Sequence, residues 1–258
     1  MKILVCNPAH YGIEYEINPW MRVANQSNKD LALRQWVNLV LILQDMCDVV
    51  EMPGQPHLPD LVFTANAGVV ANGIAVLANF KYPQRQPEKA HYKKWFEDNG
   101  FRCLELDNDT YFEGAGDCLA NNDDLYFGHG FRSDRKVYEH PLWVQFRRKA
   151  YTLKLIDPYF YHLDTCFCPL KDNYALIYPA AFEDAKIEGL KLLPVPKEEA
   201  AHFACNAVCV DDKVVIPSGC PETAKMLKDV GFKVRDTDMS EFIKAGGACK
   251  CLTLRLDQ

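Results

Sequence analysis

One pattern recurs four times along this chain and limits its fold more than any other feature. Two short apolar runs are joined by turn-forming residues, first in Val69-Val70-Ala71-Asn72-Gly73-Ile74-Ala75-Val76-Leu77, where Asn-Gly is the strongest short hairpin signal. Similar units stand at Cys118 to Phe127 around Asn121-Asn122-Asp123-Asp124, at Cys166 to Ile177 around Lys171-Asp172-Asn173, and at Ala207 to Ile216 around Asp211-Asp212. Each is expected to run on into a helical stretch and a further apolar strand. After the first hairpin come Pro87 to Asn99, Gly100, and Phe101 to Leu106; after the fourth come Pro221 to Val230, Gly231, and Phe232 to Arg235. Proline near the start and glycine past the end are ordinary helix punctuation.

The two ends of the sequence supply a fifth unit. Asp30 to Cys47 reads as a long amphipathic helix, and strands at Lys2 to Cys6 and Cys251 to Leu256 are expected to pair and close a ring. No unit of this kind can bury its apolar face alone, so five of them predict one domain over residues 1–258. A doubly wound sheet is the structural alternative, but it leaves the recurring hairpins unexplained.

Composition bounds the function. The net charge of −6 and the absence of a Lys/Arg run argue against nucleic acid as a partner. The longest apolar run, around Leu39 to Leu43, is far too short to span a bilayer, and Met1 to Val5 is too soon broken by Asn7-Pro8 to be a signal peptide. Eleven cysteines without a secretory signal read as reduced thiols of a cytoplasmic protein. The pairs Cys166/Cys168 and Cys249/Cys251 lack a zinc-knuckle spacer, and alternation on strands accounts for them without a metal. The oligomeric state is left open, a homo-oligomer included.

Polar motifs sit at the starts of these units: Thr64-Ala65-Asn66, Glu113-Gly114-Ala115-Gly116-Asp117, Tyr161-His162-Leu163-Asp164 and Gly246-Gly247-Ala248-Cys249-Lys250-Cys251. On a pseudo-symmetric ring they would converge at one end. A cysteine beyond paired glycines suits a nucleophile at a pocket mouth, although Cys249 and Cys251 would also serve as small buried hydrophobes.

The same motifs, in this order, resemble the guanidino-group-modifying enzymes of the pentein superfamily, the five-bladed α/β-propellers of ββαβ units. That group includes arginine deiminase, dimethylarginine dimethylaminohydrolase, the amidinotransferases and arginine dihydrolase. The resemblance covers the whole chain and puts the nucleophile at Cys251, with His162 and Asp164 in the His-Leu-Asp element. It implies a cofactor-free, metal-free cysteine hydrolase acting on arginine or methylated arginine through a covalent thiouronium. Two departures stand out: the acidic element is one residue longer than usual, and Asn66 replaces a deiminase aspartate. With Asn18-Pro19-Trp20-Met21, they look most like arginine dihydrolase, with the deiminase and the methylarginine hydrolase as nearest rivals. A non-catalytic, surface-binding member of the fold and a metal-binding cysteine protein are the rivals from other classes.

The chemistry of that resemblance assigns roles. Cys251 attacks the guanidinium carbon, and His162 protonates the leaving ammonia and then activates water. Asp164 and one or both of Glu113 and Asp117 bind the planar cation through paired charge-assisted hydrogen bonds. Arg132, or alternatively Arg135, grips the substrate carboxylate, and Asn18 and Asn66 contribute to binding. The Asn66 amide donates as well as accepts, which would suit a carbonyl-bearing intermediate held for a second attack.

Overall fold

A computed structural model describes residues 1–121 and 124–257. Its strands form five separate three-stranded sheets, and each repeats one plan. The chain begins with β1 (Lys2–Cys6), α1 (Lys29–Gln44) and β2 (Asp48–Met52). The first hairpin is β3 (Gly68–Ala71) and β4 (Ile74–Leu77), followed by α2 (Glu88–Asp98) and β5 (Arg102–Leu104). Then come β6 (Cys118–Ala120), β7 (Asp124–His129) and β8 (Lys149–Lys154), and β9 (Phe167–Pro169), β10 (Tyr174–Ile177) and β11 (Lys191–Pro194). After the short α3 (Lys197–Ala200), β12 (Val208–Val210), β13 (Lys213–Pro217), α4 (Pro221–Asp229) and β14 (Lys233–Thr237) build another sheet. The one-turn α5 (Ser240–Ile243) leads to β15 (Leu254–Arg255), which pairs with β1.

In every sheet the middle strand runs antiparallel to the first strand and parallel to the third. The fifth sheet fills the first position with β15, antiparallel to β1, which is itself parallel to β2. Three apolar clusters stitch neighbouring sheets together in turn. One joins the β1, β3–β4 and β6 sheets, a second joins the β6–β8, β9–β11 and β12–β14 sheets, and a third returns from Val208 and Val215 to Ile3 and Val5. The ring is thereby closed by side-chain burial, each large aliphatic contributing about 1.5–3 kcal/mol.

Local chemistry explains the turns and helix starts. Asn72 and Gly73 both have positive φ (52° and 74°), the backbone a tight hairpin turn demands. Asn28 caps α1, its Oδ1 accepting from Leu31 N at 3.0 Å.

Four expectations need correction. Only the first and fourth hairpins are followed by α-helices. The second runs into two 3-10 helices, Arg135–Glu139 and Pro141–Phe146, because Pro141 forbids continuation. The third has only a 3-10 turn at Pro179–Ala181, in a connection punctuated by Pro179 and Gly189. The closing strand is Leu254–Arg255, not Cys251 to Leu256, and both Cys249 and Cys251 lie in turns, so strand alternation does not explain that pair. Of the expected second turn, Asn122 and Asp123 lie outside the described residues. Among the described residues no helix is long and apolar enough to cross a membrane.

Candidate active site

Each of the five sheets sends polar side chains to a common place, from the segment just before its first strand. Asn66 precedes β3, the Glu113–Asp117 element precedes β6, His162 and Asp164 precede β9, Asn206 precedes β12 and Cys251 precedes β15. Three of these segments are 3-10 turns, Thr64–Ala67, Gly114–Gly116 and Leu163–Thr165, which swing the chain from the rim into the strand. Close approach explains the glycine at position 116: a Cβ there would stand 2.4 Å from Asn66 Nδ2 and 3.3 Å from the His162 ring.

Cys251 is held from two sides. Its thiol donates to Asp164 Oδ2 at 3.4 Å, and Asn206 Nδ2 donates to its sulfur at 3.1 Å. Burial, then the charge of Asp164, pushes the thiol well above its ordinary range. Burial also pushes the Asp164 carboxyl up to about 6, against the pull of Lys250 and the hydrogen bonds from Cys251 and Asn206. Asp164 Oδ1 is buried with no hydrogen-bond partner.

His162 Nε2 lies 2.9 Å from Glu113 Oε2, and the same oxygen accepts from Arg132 Nη1 at 2.9 Å. Burial of Glu113 opposes its ionisation, but Arg132 and His162 outweigh it and hold the carboxyl well below its usual range. An ionised Glu113 fixes Nε2 as the proton-bearing nitrogen of the imidazole. Arg132 lies between the rings of Tyr82 and Tyr161, 4.5 and 4.7 Å from their centroids, and its Nη2 donates to the Ile17 carbonyl.

The other predicted residues are held by partners of their own. Both oxygens of Asp117 are occupied, by the Ser133 hydroxyl at 2.6 Å and Leu163 N at 3.0 Å. It anchors the backbone beside His162, and burial raises its carboxyl to about 6. Asn18 lines the cavity, but its Nδ2 donates to the Ala245 carbonyl and Tyr161 hydroxyl, and its Oδ1 accepts from Trp20 N and Met21 N. Arg135 pairs with Glu139 on the surface at 3.1 Å, outside the cavity lining. Asn66 Nδ2 donates to the Glu113 carbonyl at 3.0 Å, and its Oδ1 accepts from Arg85 Nη1 at 2.8 Å.

Three residues at the site escaped the sequence reading. Asn206 Oδ1 accepts the backbone N–H groups of Ala248, Lys250 and Cys251 at 2.9 to 3.1 Å, which folds the segment carrying Cys251 into a turn. Its signal was positional: Asn206-Ala207 stands before β12 as Asn66-Ala67 stands before β3. Arg85 is buried with Glu88 and orients the Asn66 amide. Asp60 lines the cavity with a buried, unpartnered Oδ1. Neither Arg85 nor Asp60 belongs to a repeated position, so nothing in the repeat points to them.

The cavity among Asn66, Arg85, Arg132, His162, Gly247 and Cys251 has about 10 Å³ open to water-sized molecules, roughly one water. Beyond Ile17, Asn18, Arg132 and Tyr161 it borders a wider vestibule of about 450 Å³ that reaches Lys81, Tyr82 and Arg22. Among the described residues no group of three His, Cys, Asp or Glu side chains could hold a metal ion, and the cysteines are free thiols.

Five blades converging on a cysteine, a histidine and buried carboxylates define a pentein fold of the dimethylargininase type. The chain belongs to the family described as N,N dimethylarginine dimethylhydrolase, eukaryotic, whose model matches residues 8–257. It is 41% identical over 271 residues to the bifunctional arginine dihydrolase/ornithine cyclodeaminase AgrE of Nostoc sp., a match taking in 100% of this chain and 38% of that protein. The chain thus spans well under half the length of that relative. It is 36% identical to the N(G),N(G)-dimethylarginine dimethylaminohydrolase of Mycobacterium tuberculosis, over 96% of this chain and 83% of that one. Among solved structures, the substrate-bound N-terminal domain of the cyanobacterial arginine dihydrolase ArgZ superposes with a TM-score of 0.95. It is 42% identical and covers 100% of this chain and 98% of that chain.

Proposed function

We propose that this chain is one catalytic domain that hydrolyses the guanidino group of arginine, taking it to ornithine, two ammonia and carbon dioxide. The observation that carries the reading is the pairing of Cys251 with Asp164, whose second oxygen is buried without a partner. A planar cation donating N–H groups satisfies that oxygen, and its charge favours the thiolate that burial otherwise suppresses. The unpartnered oxygen of Asp60 suits a second cationic group, as the ammonium of an amino acid provides.

The reaction follows from these groups. Thiolate attack on the guanidinium carbon forms the C–S bond, and His162 gives the proton with which ammonia leaves, producing an S-alkylthiouronium. Water, its proton taken by His162, displaces the thiolate and leaves a ureido group. A second attack at the same carbon expels the second ammonia and forms a thiocarbamate. Its hydrolysis yields an N-carboxylate that loses carbon dioxide to give ornithine. The buried Glu113, kept ionised by Arg132, stabilises the imidazolium that forms at His162. Two waters enter and two ammonia and one carbon dioxide leave, which balances.

Asn66 supports the dihydrolase over the deiminase, because a neutral amide in this place does not favour a cation over a neutral ureido group. The likeness to AgrE and ArgZ points the same way, while the mycobacterial relative supports dimethylarginine as the second reading. Ile17, Asn18, Arg132 and Tyr161, shared by the cavity and the vestibule, stand on the way from solvent to Cys251. The test is to incubate purified protein with arginine and with dimethylarginine, and to follow ornithine, citrulline, ammonia and dimethylamine together. Ornithine with two ammonia per arginine is expected. Citrulline as the end product would reject the dihydrolase, and dimethylamine release with no turnover of arginine would move the reading to the methylarginine hydrolase.

A further inference from the structure

A second cavity lies on the ring axis behind Cys251. Strands β6, β9, β12 and β15 begin at the candidate site and end at the opposite face, and residues along these same strands line the cavity. It has about 90 Å³ open to water-sized molecules, several times the space beside Cys251. At the far face it shares Met1, Ala120, Pro169, Cys209 and Arg255 with a mouth of about 220 Å³.

The charges of this space are one-sided. Its walls carry Lys250, Arg255 and the Met1 amine but no aspartate or glutamate, the remainder being mainly apolar groups such as Ile3, Leu119, Phe167 and Val208 with the thiols of Cys118 and Cys168. The mouth adds Lys171 and Arg148 against a single carboxylate, Asp211. Arg255 and the Met1 amine are both paired with Asp257. Lys250 is different. Its Nζ donates to the Thr253 carbonyl at 3.2 Å, and among the described residues no carboxylate oxygen lies within 4 Å of it. An ammonium in a mainly apolar cavity, with one neutral acceptor, costs free energy unless an anion joins it or it sheds its proton. The direction of its acidity agrees: burial lowers the Lys250 pKa, opposed by Asp164, Cys251, Cys168 and Cys118.

We propose that this axial cavity binds a small singly charged oxyanion of the formate, acetate or bicarbonate class on the Lys250 ammonium, and that occupancy slows the reaction at Cys251. The binding claim stands on the cavity alone; the inhibitory claim rests on the reading of Cys251 as nucleophile. Its cause is electrostatic. Lys250 adjoins Cys251 in the turn gathered by Asn206, and its positive charge favours the ionised forms of both Cys251 and Asp164. An anion on Lys250 cancels that field from the side opposite the substrate. Where carbon dioxide is a product, bicarbonate formed from it falls in the ligand class.

The probe is sodium formate, titrated at constant ionic strength against the purified chain by calorimetry. Saturable binding is expected in wild type and in Lys250→Arg, and not in Lys250→Met or Lys250→Gln. Equal binding in the wild type and in folded Lys250→Met, or no saturable binding in the wild type, would overturn the site. For the inhibitory claim, formate should lower kcat for arginine about 5–10-fold with KM unchanged. Inhibition competitive with arginine would place the anion in the substrate cavity and overturn the claim. The pH profile of Cys251 alkylation, read by mass spectrometry, needs no substrate. Formate should move it to higher pH in wild type, while the Lys250→Met profile should already stand higher and not respond. An unmoved wild-type profile would reject the coupling even if arginine proved not to be the substrate.

Discussion

Asn206 holds Cys251 through both ends of one amide: its Nδ2 donates to the sulfur at 3.1 Å, and its Oδ1 accepts the Cys251 backbone N–H at 3.1 Å. The oxygen also collects Ala248 N and Lys250 N, and the nitrogen also donates to the Asp164 carbonyl at 2.9 Å. Every one of these contacts is lost in Asn206→Ala, which leaves buried N–H groups unpaired at about 1–3 kcal/mol each. Thermal unfolding should show a loss of several degrees, and kcat should fall by about 10² as Cys251, the proposed nucleophile, loses its fixed position. Unchanged kcat in a folded Asn206→Ala protein would show that the amide is structural only.

The two cysteines of the final turn should separate cleanly. Cys249 is fully buried and sits in an apolar cluster with Phe203 and Phe242, whereas Cys251 touches Asp164 and lines the cavity. Cys251→Ser should abolish turnover and leave folding intact, and Cys249→Ser should keep most activity. Acid quench with substrate followed by peptide mapping should place the added mass on Cys251. Mass on Cys249 would move the chemistry to the other thiol.

Asn66→Asp tests what the amide does. The carboxylate would still accept from Arg85 but could no longer donate to the Glu113 carbonyl, and it would favour cations. Citrulline should accumulate at the expense of ornithine, with stability reduced by about 1–3 kcal/mol. An unchanged ornithine yield would separate product choice from Asn66.

Stability should also respond to pH through Asp164. Its folded-state value, about 6, stands above its ordinary 3.8, so ionisation is harder in the folded chain. Its contribution is therefore fully present below about pH 4 and lost as pH rises through about 6, a change of up to about 3 kcal/mol. Asp117 has the same sign and window, and Glu113 the opposite sign, losing its contribution as pH falls below its ordinary 4.5. Denaturant titrations from pH 4 to 7 should show a smaller decline in Asp164→Asn than in wild type. Parallel curves would mean that Asp164 does not titrate there.

The ring was readable because the hairpins announce themselves locally: Asn72-Gly73 needs only its own two residues to make a turn. The pairing that closes it was readable too, but the start of the closing strand was not. Asn206, far away in sequence, takes the N–H groups of Ala248, Lys250 and Cys251, and a segment whose donors are bound to one side chain cannot also serve a ladder. His162 and Glu113 stood out through motifs, and the contact between them is long-range but follows from the repeat. Arg85 and Asp60 were hidden because burial, not spacing, brings them to the cavity. Asn18, named for binding, lines the cavity, but nothing in the sequence signals that its amide is engaged by Ala245, Tyr161, Trp20 and Met21.

The pairing of β15 with β1 has a meaning in time as well as in space. Four sheets lie between β1 and its antiparallel neighbour in the order of synthesis, so β1 must wait beside β2 with one edge open. Cys251 stands immediately ahead of that late strand, and the segment that docks it is the one that seals the ring. A nascent chain therefore holds His162, Asp164 and Glu113 long before it holds the Cys251 thiol. On the proposed mechanism, turnover waits for the strand that seals the ring.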